Sequence, residues 1–314
     1  MNASDISVVI CTHNPRERYI TRVLGALRAQ TRPSITWELV IVDNRSEVPL
    51  QGRVDISWHP RGRIVREDEL GLTPARLRGI GESRGGLIVF VDDDNILSAD
   101  YLDVAAGIWE RRPDIGAFGA SLKPEFEVPP PEWCKPFVEY IAGTEIDRDY
   151  WCNFDFKWSM PSGAGLCAHR SVCERYVEVV TNDPLRKSLD RSGKKLASGG
   201  DTDLALTAVD LGLGVGRFKD LVLVHIIPAD RLTEDYVVNI YAGIGECYKY
   251  LEAIRPHLRG PERNPHVELV RLLWHLLRGS RLERRILRAR LRAEKNATAL
   301  LQSLGRVDAT TSGK

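Results

Sequence analysis

A chain of 314 residues, 43% hydrophobic and 28% charged, has the composition of one large or two small globular domains, which excludes wholesale disorder and collagen-like repetition. Forty-four Lys and Arg against 43 Asp and Glu leave a net charge of +1, so the chain as a whole is no polycation built for nucleic acid. The longest apolar runs, Leu87–Val91 and Leu221–Val224, are strand-sized and far short of the roughly 18–20 residues that a bilayer-spanning helix needs. With Asp5 and no apolar run near the start, no secretory signal is expected. Cys11, Cys134, Cys152, Cys167, Cys173 and Cys247 include no CxxC pair and are expected as reduced thiols of a cytosolic protein.

In chain order, Ser7–Cys11 is a short apolar strand ending in the turn Thr12-His13-Asn14-Pro15. Arg18 to Ala29 carries Ile20, Val23, Leu24 and Leu27 at helical spacing. Trp37 to Val42 is a second strand, ending at Asp43-Asn44, and Ile64–Arg66 is a weaker third. Thr73 to Ser83 predicts a helix with Thr73 as its cap and Pro74 in its first turn. Leu87–Val91 is the most apolar strand and runs directly into Asp92-Asp93-Asp94. After an aromatic, irregular stretch come a small-residue turn at Pro161–Gly165, a helix from Asp201 to Leu211, a late strand Leu221–Ile227 containing His225, and helical sequence from Thr233 onward. Continuous apolar strands separated by helices predict a mostly parallel sheet covered on both faces. Ligands bind beyond the carboxyl ends of such strands, where Thr12, Asn14, Asp43 and the three aspartates all fall.

Three adjacent aspartates repel one another. Asp92 and Asp94 can face one side of an extended chain, and a hard divalent cation would relieve their repulsion while a substrate diphosphate completed its shell. Acidic turns after strands are also common, so spacing alone leaves both readings open.

Val8 to Asn14, Glu38 to Asn44, Gly71 to Ile80 (GLTPARLRGI), Leu87 to Asp94 (LIVFVDDD) and Gly200 to Leu206 (GDTDLAL) occur in the order and spacing of five motifs of glycosyltransferase family 2. The sequence resembles these inverting nucleotide-sugar enzymes of GT-A fold over roughly residues 6 to 211. The resemblance implies an α/β Rossmann-like mixed sheet flanked by helices, with a GT-A domain at 1–232 divided into a nucleotide-sugar half (1–110) and an acceptor half (111–232). A helical, basic extension would follow at 233–314. It implies nucleotide-sugar contacts from Thr12, Asn14, Asp43, Arg76, Asp92 and Asp93, a Mn²⁺ or Mg²⁺ on Asp94 and Asp92, and a general base at Asp201. A plainer reading makes Asp201 a helix-start residue favoured by the macrodipole, with Asp203 as a capping or supporting partner, and makes Arg76 a solvated helix charge. His225 is either a third metal ligand or a core histidine. The sequence departs from the family at Gly200, where E-D-x-D-L has Glu, and at Leu77, where Asn is usual.

Trp151 and Trp158, in the aromatic stretch, are expected to line an acceptor sugar. Between Arg255 and Lys295, twelve Arg and Lys stand against four Glu, alongside an apolar stripe of Leu269, Leu272, Leu273, Leu276 and Leu277. That pattern fits either a helix lying on an anionic membrane or a helix packed on the domain with its basic face in water.

The expected activity is single transfer of a sugar from a nucleoside diphosphate, UDP first among them, to a saccharide or lipid-linked saccharide in bacterial surface-polysaccharide or glycolipid assembly. Its expected place is the cytoplasm or the inner face of the cytoplasmic membrane, with no nucleic-acid partner. A sugar-nucleotide-binding protein without activity and a nucleotidyltransferase are the alternatives. The latter is disfavoured because Thr12-His13-Asn14-Pro15 is not a Gly-rich, basic loop.

Overall fold

A computed structural model describes residues 6–31, 36–154, 157–191, 196–258, 274 and 277–306. Apolar β-branched runs form the strands β1 (Ile6–Thr12), β2 (Trp37–Asn44), β3 (Gly62–Glu67) and β4 (Leu87–Val91). They lie parallel in the order β3-β2-β1-β4. The sheet continues through β8 (Cys167–His169), antiparallel to both neighbours, to β6 (Ile115–Phe126) and β9 (Gly214–Ile227), which are parallel to each other. Two short strands, β5 (Asn95–Leu97) and β7 (Tyr150–Cys152), pair antiparallel with β9.

Side chains alternate across each strand, so the sheet has an apolar core on each face. Val8 and Ile10 of β1 face one core, completed by α1 (Glu17–Arg28) and α3 (Tyr101–Arg111). Val9 faces the other, completed by α2 (Leu72–Glu82), α5 (Arg170–Thr181) and α7 (Gly200–Asp210). The long α8 (Glu234–Ile254) and α9 (Arg281–Ser303) pack on each other. Leu282, Ile286, Ala297 and Leu301 of α9 are buried there in two small cores, so the apolar face of this basic helix is spent on packing. Much of the leucine stripe expected upstream, including Leu269, Leu272, Leu273 and Leu276, lies outside the described residues; Leu277 is exposed.

The structure departs from the sequence reading in three places. The cap of α2 is Gly71 rather than Thr73, whose hydroxyl donates instead to Asp190. Helices α3 and α5 and strands β5, β6 and β7 are among the additional elements. The last strand begins at Gly214, seven residues before the apolar run that marks it.

A buried ion network ties the C-terminal helices to the sheet domain. Asp203, fully buried on α7, accepts from Arg186 at 2.7 Å and from Arg255, which also bonds Asp210 at 2.8 Å. Arg255 follows α8 directly, so one guanidinium fixes the end of that helix against α7. Breaking a buried pair by deleting one partner typically costs about 3–5 kcal/mol. Arg255→Ala should lower the free energy of denaturant unfolding by about 3 kcal/mol; a loss near zero would mean that packing alone holds α8.

Candidate active site

The chain turns sharply where β4 ends. The Asn95 amide donates to the Asp92 carbonyl at 3.1 Å, closing a four-residue turn over the three aspartates and reversing the chain into β5. Asn95 braces this turn, accepting from the Asp92 amide at 3.1 Å and donating to the Asp94 carboxylate at 2.9 Å. In the β5–β9 ladder Asn95 faces His225, and the Ile226 amide donates to the Asp94 carbonyl at 2.9 Å. Strand register thus brings residues 94 and 225 together.

The three carboxylates have different partners. Arg231 donates to Asp94 at 2.8 Å, and His225 Nε2 lies 3.6 Å from the same carboxylate. Although burial disfavours its charge, His225 and Arg231 hold the Asp94 pKa down to about 2. Burial and the nearby Asp94 push Asp93 up to about 7, against the opposing hydrogen bond that it accepts from Thr12. Asp92, raised by burial and by Asp94, borders the cleft with no hydrogen bond to its carboxylate among the described residues.

His225 Nδ1 is 3.0 Å from the Ala142 carbonyl, to which it donates, and this turns Nε2 toward Arg231 (3.1 Å) and Asp94 (3.6 Å). Metal-ligating imidazoles are held in this way through their second nitrogen. Among the described residues no group of three or more His, Cys, Asp or Glu side chains is placed to hold a metal ion. Asp94 and His225, 3.6 Å apart, are two groups of the ligand type a divalent cation takes, and any further ligands would have to come from water or substrate. Arg231 now supplies the positive charge there.

Opposite these residues, in the same cleft of about 400 Å³, stand Arg76 and Asp201. Asp201, in the first turn of α7, accepts from the Gly163 and Thr202 amides, each at 2.8 Å. Arg76 is 3% exposed, which excludes a solvated helix charge. It donates to Asp190 at 2.9 Å, and although burial disfavours its charge, Asp190 and Asp201 raise its pKa. A Cβ on Gly163 would stand 2.9 Å from Arg76 Nη2 and 3.4 Å from Asp201 Oδ2, so the small-residue turn is what lets the loop pass between these two groups. Cys11 also lines the cleft, but burial pushes its thiol up to about 12, leaving it without thiolate character at neutral pH.

Four expected residues stand elsewhere. Asp43 is buried beneath the β2 turn and does not line the cleft; it accepts from the Ser46 and Leu50 amides at 2.9 and 3.1 Å and from Arg66 at 3.1 Å. Despite burial, these bonds hold its pKa below the usual range. Its neighbour Asn44 lines the cleft, anchored by the Glu69 carbonyl and the Gly71 amide. Asn14, at φ +50°, ties the β1 turn to Ser46 and Glu47 and borders an adjoining hollow with Asp93 and Arg231. Trp151, paired with Gly216, lies under the Arg112 guanidinium that precedes β6. Measured along the paired β6, from Phe118 beside Gly216 to Pro124 beside His225, that is six residues from His225, roughly 20 Å at a strand's rise, and Trp151 does not line this cleft. Trp158 is also outside the lining, stacked on Tyr150 at 5.8 Å. Asp190, Arg231 and Tyr140 are cleft residues that no motif marks; Asp190 stands beside Arg191 and Arg231 beside Asp230 in polar stretches without a periodic or spacing signal.

Residues 7–149 match the family model described as Glycosyl transferase family 2. Among curated proteins the chain is similar to the glucosyl-dolichyl phosphate glucuronosyltransferase of Haloferax volcanii, 25% identical over 167 residues, 48% of this chain and 52% of that one. It is also similar to the glycosyltransferase AglE of the same organism, 22% identical over 238 residues, 70% of this chain and 66% of that one. The chain thus spans about half the length of the first relative. Among solved structures, S. aureus TarS 1–349 in complex with UDP-GlcNAc superposes with a TM-score of 0.53 at 15% identity, over 96% of this chain and 85% of that one. At that identity the likeness is one of fold, a central α/β sheet flanked by helices in the GT-A manner.

Proposed function

We propose, from the match of residues 7–149 to the model of glycosyl transferase family 2, that the protein transfers one sugar from a nucleoside diphosphate to a hydroxyl acceptor with inversion at the anomeric carbon. The observation that carries the proposal is the occupancy of one cleft: a diphosphate-type site of Asp92, Asp94, His225 and Arg231 faces a carboxylate, Asp201, held by two backbone amides. UDP is the proposed nucleotide, a choice supported by the TarS complex with UDP-GlcNAc.

In this mechanism Asp201 accepts the proton of the acceptor hydroxyl as that oxygen bonds to the anomeric carbon. The carbon–oxygen bond to the diphosphate breaks on the opposite face, and the released negative charge is met by Arg231 and Arg76. Asp94, His225 and Asp92 would hold a Mg²⁺ or Mn²⁺ ion, whose contribution when bound is further neutralisation of the leaving diphosphate.

The acceptor is proposed to be lipid-linked, with support from the dolichyl phosphate in the name of the Haloferax relative and from the surface of α9. Arg281, Arg288, Arg292 and Lys295 are exposed at helical spacing along that helix, a stripe suited to anionic headgroups. Among the described residues no helix is long and apolar enough to cross a membrane.

Three measurements test these readings. Calorimetry of UDP should give at least tenfold tighter binding with Mn²⁺ than in EDTA, and Asp94→Asn should abolish the difference; equal affinities in the wild type would remove the metal. Asp201→Asn should reduce kcat by at least about 100-fold with donor affinity within a few-fold, whereas Asp203→Asn should chiefly lower thermal stability, given its buried pairing with Arg186 and Arg255. Near-normal transfer by Asp201→Asn would take the base away from this residue. Co-sedimentation with phosphatidylglycerol vesicles should be strong at low salt and fall as salt is raised to physiological strength, where charges are screened over about 8 Å. Absence of binding at low salt would leave α9 as a packing element only.

A further inference from the structure

Asp190 is a charged group of the cleft that the proposed mechanism leaves without a task. It lies between α6 (Pro184–Lys187) and α7, is 5% exposed, and accepts from Thr73 at 2.8 Å and from Arg76 at 2.9 Å. Burial pushes its pKa up, with Arg76 opposing. The neighbouring segment is firmly held: Leu189 and Ala197 are buried against Cys247, Tyr250 and Leu251 of α8 and Ala297 and Leu301 of α9.

Gly200 gives this carboxylate its meaning. The residue is not among the positive-φ glycines, so its backbone conformation does not call for glycine. Space does. A Cβ at residue 200 would stand 2.2 Å from Asp190 Oδ2 and 2.3 Å from its Cγ, inside the distance at which non-bonded atoms repel. The point where a side chain at 200 would begin is therefore the point where the Asp190 carboxylate ends. At this position the family motif has Glu, and this sequence has none.

We propose that Asp190 is a positioning residue of the cleft, supplying from the segment before α7 the carboxylate that the family carries on residue 200. It acts through Arg76, which it holds beside Asp201 on the two sides of Gly163. Gly200 is the other half of the exchange, because the carboxylate fits only while that residue has no side chain. This inference rests on the transferase reading of the cleft.

The test compares the wild type with Asp190→Asn, Asp190→Ala, Gly200→Asp and the double variant Asp190→Ala/Gly200→Asp, in which the carboxyl group is carried by the other chain position. With a UDP-sugar that the wild type turns over, each single variant should lose at least tenfold in kcat/KM for the donor. The double variant should return to within about threefold of wild type. Thermal midpoints should follow the same order, falling in the Ala and Gly200→Asp variants and recovering in the double. A double variant no better than the worse of its parents, or wild-type kcat/KM in Asp190→Asn, overturns the exchange. If the wild type turns over no nucleotide sugar, the transferase reading fails separately, and the midpoints still decide: recovery in the double supports the exchange, and its absence overturns it.

Discussion

Six carboxylates, those of Asp92, Asp93, Asp94, Asp190, Asp201 and Asp203, stand in or beneath one cleft, and burial raises the free energy of each in its charged form. A fold can keep them there only by giving each a cation, a donor or a proton. Asp94 has Arg231, Asp190 has Arg76, and Asp203 has Arg186 and Arg255. Asp201 has two backbone amides, and Asp93 has the Thr12 hydroxyl together with a pKa near neutrality. Asp92 borders the cleft without a hydrogen bond to its carboxylate among the described residues, which makes it the natural place for a positive or proton-bearing ligand group.

This division of charge explains why the C-terminal helices are more than an appendage. Arg231 stands in the turn before α8 and Arg255 just after it, so the two arginines bracketing that helix neutralise one aspartate at the cleft and another beneath it. Through α8 and α9, Leu189 and Ala197 are also clamped, which fixes the segment bearing Asp190. The boundary expected at residue 232 is crossed by the pairs of Arg255 with Asp203 and Asp210. Folding of the helices and charge balance at the cleft are therefore coupled, because removing either arginine takes a cation from a buried carboxylate.

The sequence made the sheet's first half and the acidic turn legible because their signals are local. Leu87–Val91 is continuously apolar, and DDDN is turn chemistry as well as ligand chemistry. Strand β6 was hidden by Gly116, Ala117, Gly119 and Ala120, small residues that carry little hydrophobic signal although the strand's first eight residues are fully buried. Asp43 ends its strand as expected but serves the Ser46–Leu50 loop, since two amides and a guanidinium already occupy its oxygens. Trp151 and Trp158 looked like sugar platforms by composition, and only strand register shows Trp151 to be far along β9 from His225. Arg231 and Asp190 were illegible for the opposite reason, being charges among other charges in polar stretches, whose partners in the cleft are distant in the chain.

Gly200 shows most directly how a sequence departure can mislead. Read along the chain, glycine in place of glutamate subtracts a carboxylate from the site and suggests a weakened enzyme. Read in space, the carboxylate is still there, ten residues upstream, and the glycine is the condition for its fitting. The Asp190 carboxylate that bonds Arg76 stands where a side chain at residue 200 would begin. The two sources exclude each other sterically, so a change at one position constrains the residue tolerated at the other. Motif matching along the sequence registers the loss at 200 and has no means of seeing the gain at 190, whose partners Thr73 and Arg76 are more than a hundred residues away in the chain.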